Sequence, residues 1–215
     1  MPYQDSPPPS PRGRGRTNHN SEWLLGIAVA EFNRRGYEAT SMSQLATAAG
    51  ITKSTIYHHF GSRELLLRAA LERALEALFA VLDQDVADVH GAGERLRRLI
   101  AATAGALVAQ LPYVTLLLRV RGNTPSERWA LDQRREFDRR VAALVADAAR
   151  AGEVRDDIDP GLATRLIFGM VNSITEWYRA DHEAPSAGLA DQVASLALEG
   201  LRGRCGPSPR ESGKW

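Results

Sequence analysis

Ser41-Met42-Ser43-Gln44-Leu45-Ala46-Thr47-Ala48-Ala49-Gly50, followed by Ile51-Thr52-Lys53-Ser54-Thr55-Ile56-Tyr57-His58-His59-Phe60, decides the fold. Ser41 and Gln44 have the spacing of a capping box, in which each side chain satisfies the other's backbone N–H at a helix start. Leu45, Ala46 and Ala49 then face a core, and Gly50 permits a tight turn that Ile51 plugs. Thr52 is a good N-cap for a second short helix. In it Ile56 and Phe60, four apart, face inward, so Lys53, Ser54, Thr55, Tyr57 and His58 stay outside. Two short helices around a glycine turn, the second with a polar outer face, are a helix-turn-helix. A helix of that width fits the major groove, where Ser, Thr, Tyr and Lys meet phosphates and base edges.

The pattern extends outward in both directions. Upstream, Leu24, Ala28 and Phe32 make one face of a helix over about 21–35, widened by Leu25 and Val29 and closed by Gly36. Downstream the chain keeps helical periodicity, cut by Gly61, Gly91–Gly93, Pro112, Gly122–Pro125, Gly152, Pro160 and Pro185. No convincing stretch alternates with period two. The expected fold is all-α with about nine helices. Residues 21–66 would form the helix-turn-helix domain and 67–202 a larger ligand-binding and dimerisation domain, with the fourth helix running from Arg63 to about Val89. Residues 1–20, rich in Pro, Gly and Arg, read as a disordered basic arm, and 203–215 as a flexible tail.

Composition narrows the function classes. The chain has 215 residues, 44% hydrophobic and 25% charged, with net charge +1. That balance gives no general attraction to polyanions, so any nucleic-acid contact must be a local patch. A single cysteine, Cys205, makes neither an internal disulfide nor a Cys-based zinc site. The start lacks an apolar secretory core, and a cytoplasmic location is expected. Leu99–Leu118 is uncharged over a membrane-spanning length, but Pro112 and the Gly, Thr and Ala content read as two buried helices meeting near Leu111-Pro112. No nucleophile elbow, P-loop, dinucleotide fingerprint or zinc spacing occurs, so an enzyme is not expected. His58 and His59 point to different faces and make no metal site. The acidic run Glu153–Asp159 lacks calcium-loop spacing and reads as a solvated loop. No cofactor is expected.

The stretch Leu24–Leu66 resembles the TetR family of bacterial transcriptional repressors. The resemblance rests on Phe32, Gly36-Tyr37, Thr40-Ser41, Leu45-Ala46, Ala48-Ala49-Gly50-Ile51, Ile56-Tyr57-His58-His59-Phe60 and Ser62-Arg63-Glu64-Leu66. Ser54 stands where the family often has Gly, and Arg63 where it often has Lys. The resemblance implies an all-helical homodimer on palindromic operator DNA, released by a small molecule. The segment Phe168-Gly169-Met170-Val171-Asn172-Ser173-Ile174-Thr175-Glu176-Trp177-Tyr178, with Leu117-Leu118-Arg119 and Arg121-Gly122-Asn123-Thr124, is similar to regulators of fatty-acid and steroid breakdown. In that subgroup the effector is commonly an acyl-CoA thioester.

The candidate DNA contacts are Thr40, Ser41, Lys53, Ser54, Thr55, Tyr57, His58 and Arg63. Lys53 reads as a phosphate contact, the alternative being a plain solvated lysine. Arg63 and the helix opening at Ser62 are a candidate phosphate site. Arg14 and Arg16 in the arm suit a narrow minor groove, or simply keep a tail soluble. The candidate effector residues are Leu99, Thr103, Leu107, Leu117, Phe137 and Phe168, together with Asn172, Thr175 and Tyr178, which read alternatively as internally hydrogen bonded. Arg119 and Arg121 would meet CoA phosphate or lie on a solvated face. Leu166, Gly169, Ser173, Val193, Leu196 and Gly200 mark two helices for a four-helix dimer interface, the alternative being packing within one chain. The competing functions are a regulator answering a hydrophobic drug-like ligand, as for an efflux gene, and an architectural DNA binder. The near-neutral charge disfavours the latter.

Overall fold

The computed structural model describes residues 21–83, 91–179 and 188–202. Among them are nine α-helices and no strand: α1 (Ser21–Arg35), α2 (Met42–Ala49), α3 (Lys53–Phe60), α4 (Arg63–Asp83), α5 (Ala92–Ala109), α6 (Leu111–Arg119), α7 (Pro125–Arg150), α8 (Pro160–Trp177) and α9 (Leu189–Leu201). The basic arm with Arg14 and Arg16, the end expected for α4 and the C-terminal tail lie outside the described residues.

Local chemistry fixes the first three helices. Ser41 Oγ accepts from Gln44 N at 3.3 Å, and Gln44 Oε1 accepts from Ser41 N at 2.7 Å. Thr52 Oγ1 caps α3 by accepting from Thr55 N at 3.2 Å. Each such cap contributes about 1 kcal/mol. Gly50 ends α2 in the left-handed region, φ 63°, with its N–H returned to Ala46 and Thr47 carbonyls. Leu24, Phe32, Leu45, Ile56 and Leu66 are fully enclosed and form the core of this small domain.

α4 belongs to both domains. It packs on α1 and α3 at one end and on α5, α6 and α7 along its length. α5 and α6 break at Gln110, with Pro112 in the first turn of α6, and cross at 99°. No single helix among the described residues is long and apolar enough to cross a membrane. α7 and α8 pack together, and α9 lies on α5.

The acidic run 153–159 is a loop whose carboxylates are exposed, as expected, and two of them also cap helices. α5 begins after Gly91, which has no capping side chain. Glu153 supplies the cap from outside, accepting from Ala92 N at 3.1 Å and Gly93 N at 2.8 Å. A Cβ on Gly93 would stand 2.9 Å from the Glu153 carboxylate and would push that capping side chain aside. Asp159 caps α8 by accepting from Leu162 N at 2.9 Å.

Candidate DNA interface and effector cavity

The outer face of α3 carries Lys53, Ser54, Tyr57 and His58, all exposed, with Thr55 partly so. Tyr57 is 47% exposed although it is a large aromatic. An exposed aromatic among short polar residues has no role in the core and suits contact with a nucleic-acid groove. Thr55 Oγ1 lies 2.9 Å from Thr52 Oγ1, which orients it at the start of the helix. Ser41 is exposed at the end of α2 but its hydroxyl is used in the cap. No cluster of three or more His, Cys, Asp or Glu able to hold a metal occurs among the described residues.

Two residues expected on this face are structural instead. Thr40 is fully buried, and its hydroxyl donates to the Gly36 carbonyl at 2.8 Å. Arg63 turns inward. Its Nη1 donates to the carbonyls of Thr40 at 2.8 Å, Tyr37 at 3.3 Å and Glu38 at 3.4 Å. The guanidinium stacks 4.4 Å from the Tyr37 ring centroid and pairs with Glu38. Loop carbonyls without a helix or sheet partner need donors, and Arg63 reaches three of them, two of them part-buried. The start of α4 is capped by Ser62, whose Oγ accepts from Leu65 N at 3.0 Å.

The second candidate site lies inside the larger domain. A narrow cavity of about 40 Å³ opens between α4, α5, α6, α7 and α8. Of the candidate effector residues, Thr103, Leu107, Leu117, Phe137, Phe168 and Asn172 are brought together around it. Phe137 links the walls, its ring 5.9 Å from Phe79 on α4 and 5.3 Å from Phe168 on α8. Leu78, Val114 and Leu118 add hydrocarbon, and Arg134 and Asp138 add charge. The last two were not read from the sequence. The signal was present: Arg134 stands three residues before Phe137 and seven before Val141, on the same helix face. Desolvation lowers the Arg134 pKa and raises that of Asp138.

Other expected effector residues lie elsewhere. Leu99 and Tyr178 are buried but do not line the cavity, and Thr175 donates to the Asn172 carbonyl at 2.8 Å within α8. Arg119 and Arg121 line a different cleft, of about 300 Å³, between α1 and the α6–α7 connection. There Arg119 Nη1 donates to the Asn33 carbonyl at 2.7 Å, and Asn33 Nδ2 donates to the Pro112 carbonyl at 2.7 Å.

These bonds are part of a set tying the reading head to the cavity walls. Glu64, at the start of α4, accepts from Tyr37 Oη at 3.1 Å and from Ser126 N of α7 at 2.9 Å. Partial burial raises the Glu64 carboxyl, but hydrogen bonds from Ser126, Tyr37 and Thr124 outweigh it and hold the pKa below 4.5. Arg73 donates to Glu22 of α1 at 2.7 Å and to Gln110 at the α5–α6 break at 3.1 Å.

On the outside, α8 leaves Leu162, Leu166 and Trp177 exposed, with Gly169 and Ser173 along the same stripe. α9 adds Leu196 and Gly200. Val193, expected on this face, is turned the other way and buried.

A helix-turn-helix head with an exposed polar recognition helix, joined through one long helix to an all-helical domain with an internal cavity, defines a DNA-binding regulator. Residues 24–70 match the model of bacterial regulatory proteins of the tetR family, and residues 90–201 that of the tetracyclin repressor-like C-terminal domain. The chain belongs to the TetR family of transcriptional repressors, which are not enzymes. It is similar to the TetR-family regulator SCO3833 of Streptomyces coelicolor, at 55% identity and TM-score 0.77, covering 84% of this chain and 91% of that one. It is 29% identical to the transcriptional repressor KstR2 of Rhodococcus jostii, covering 91% of this chain and 97% of the relative. The structure of the ketosteroid transcriptional regulator KstR2 of Mycobacterium tuberculosis is similar at 26% identity and TM-score 0.77, covering 88% and 98%.

Proposed function

We propose that this chain represses transcription as a homodimer on a palindromic operator, and that an amphipathic effector releases it. Lys53, Ser54, Thr55, Tyr57 and His58 are the operator contacts, with Ser41 at the edge and the arginines of the N-terminal arm as further candidates. The effector is an acyl-CoA thioester of lipid, steroid or aromatic-acid catabolism. The similarity to regulators named for ketosteroids supports that class, as does a cavity whose wall is mostly hydrocarbon.

One observation carries the reading: the helices that wall the cavity are those tied to the reading head. α6 holds α1 through Pro112 and Arg119, and α7 holds Glu64 through Ser126. Ligand sites are commonly about 300–1,000 Å³. A cavity of about 40 Å³ must therefore widen to admit an acyl chain. Widening moves α6 and α7, and the ties carry that movement to α1 and α4. An operator holds two recognition helices about 34 Å apart, one turn of DNA. An effector that favours another spacing weakens operator binding, and operator weakens effector binding by the same factor.

The test is a mobility shift on the chain's own upstream intergenic DNA with a panel of acyl-CoA thioesters. Specific binding released by one thioester is expected. Specific binding that no thioester releases discards the thioester class and leaves a drug-like effector. Equal affinity for random DNA at physiological salt overturns the repressor reading.

A further inference from the structure

Within the effector cavity the polar atoms gather on one side. Arg134 and Asp138 stand one turn apart on α7, with Asn172 of α8 among the same lining residues. Arg134 is partly buried, and its guanidinium makes one long hydrogen bond, Nη1 donating to the Leu117 carbonyl at 3.5 Å. Its neighbours on α7 behave differently. Arg135 pairs with Asp132 at 2.6 Å and Arg140 with Glu136 at 2.8 Å, while Arg139 pairs with Glu136 and Arg150 with Asp147. Asp138 lies four residues beyond Arg134, a spacing suited to a helical ion pair. Among the described residues the two make no direct salt bridge and Asp138, which is exposed, accepts no hydrogen bond from a side chain, although Arg134 and Arg165 both act on it electrostatically.

A guanidinium carries five N–H donors, and a partly desolvated one left without acceptors is costly. Arg134 has an acceptor for one of its five. Leu107, Val114, Leu117, Phe137 and Phe168 offer it no side-chain acceptor, and Thr103 and Asn172, which also line the cavity, make no hydrogen bond to it. Among the lining side chains one positive and one negative charge stand side by side, Asp138 at the exposed rim where Arg165 of α8 also acts on it.

Resting on the effector reading above, we infer that Arg134 binds the carbonyl oxygen of the effector's thioester, and that Asp138 beside it selects a neutral carbonyl over a free carboxylate. The apolar body of the effector then lies along Leu117, Phe137 and Phe168. Asp138 repels a carboxylate placed on Arg134, whereas a thioester offers the same acceptor geometry without net charge. Discrimination thus arises from one attractive and one repulsive group.

Calorimetric titration of the full chain tests this. The probes are butyryl-, octanoyl- and palmitoyl-CoA, the S-alkyl-CoA thioethers of the same chain lengths, which lack the carbonyl, and the free carboxylates. For at least one chain length the thioester is expected to bind about tenfold or more tighter than its thioether. It should exceed the carboxylate by at least as much. Arg134→Met is expected to collapse the thioester-to-thioether ratio towards one, and Arg134→Lys to restore part of it. Asp138→Asn is expected to admit the carboxylate. Each ratio is internal to one variant, so a general loss of stability does not imitate the effect. Wild-type protein that binds thioester and thioether alike overturns the inference, as does an Arg134→Met ratio equal to wild type. In either case thioester-released repression still stands. If none of the nine probes binds, a straight-chain acyl effector is excluded and this inference falls, while steroid and aromatic-acid thioesters are decided separately by the mobility-shift panel.

Discussion

At the scale of single residues, the division between contact and structure turns on where polar atoms find partners. Tyr57 finds none in the fold and is half exposed, so Tyr57→Ala is expected to leave thermal stability within about 0.5 kcal/mol of wild type. Operator affinity should fall about 10- to 100-fold, as for loss of a groove contact. Fluorescence anisotropy on labelled operator beside a thermal melt checks both, and unchanged affinity removes Tyr57 from the interface. Glu64 is the opposite case. Its carboxylate joins Tyr37 to the first turn of α7, and Glu64→Gln weakens two acceptor bonds at a cost of about 1–2 kcal/mol. Its pKa in the fold is below the ordinary 4.5, so the ionised form is the stabilising one. The contribution is present above pH 4.5 and is lost as pH falls through the depressed folded value. Melts of wild type and Glu64→Gln should therefore differ at pH 7 and converge on acidification; a gap that holds or widens contradicts the assignment. Arg63 and Thr40 show the limit of reading at this scale. Their positions beside the recognition helix are legible, but the three loop carbonyls that draw Arg63 inward are visible only in the folded loop.

At the scale of elements, most boundaries could be read because glycine, proline and caps act locally. The capping box at Ser41, the Gly50 turn and the Pro112 break all depend on neighbours within four residues. The Glu153 cap could not be read, because its partners Ala92 and Gly93 lie some sixty residues away. The same locality gives glycine substitutions opposite signs in different places. Gly50 has φ 63° with open space around a Cβ, so Gly50→Ala meets backbone strain alone, about 1–2 kcal/mol. Gly105 sits within α5, exposed, also with open space and ordinary helical backbone. Gly105→Ala is expected to stabilise by about 0.5–1 kcal/mol through lower unfolded-state entropy. Thermal melts of the two variants should move in opposite directions, and a destabilising Gly105→Ala would indicate that α5 is covered there by something beyond the single chain.

At the scale of the whole molecule, the outer surface of α8 and α9 holds large apolar side chains among its polar ones. Leu166 is 61% exposed, Leu196 63% and Trp177 55%, with Gly169, Ser173 and Gly200 beside them. Single exposed leucines are ordinary, but three large apolar side chains with small residues among them on two neighbouring helices suit close packing of helices. Sequence periodicity placed five of the six residues expected on this face where they are exposed, and Val193 on the wrong side of α9. The outer side of α9 sets Leu196 and Gly200 among Asp191, Gln192, Ser195 and Glu199, and Val193 belongs to the side packed within the chain, as its burial beside Ala194, Ala197 and Leu198 indicates. Two-fold pairing through α8 and α9 would bury the outer side and bring two recognition helices to one operator. A charge at the centre of such an interface is repeated by symmetry and opposes its own copy. Leu166→Asp with Leu196→Asp is therefore expected to convert the dimer to monomer in sedimentation equilibrium at micromolar concentration. Both positions are exposed in the single chain, so its folding should survive, and circular dichroism should retain the helical signal. Operator affinity should fall by 100-fold or more, roughly the loss expected when two half-sites are no longer bound as one unit. A double variant that remains dimeric and binds operator as wild type would exclude α8 and α9 as the dimer face.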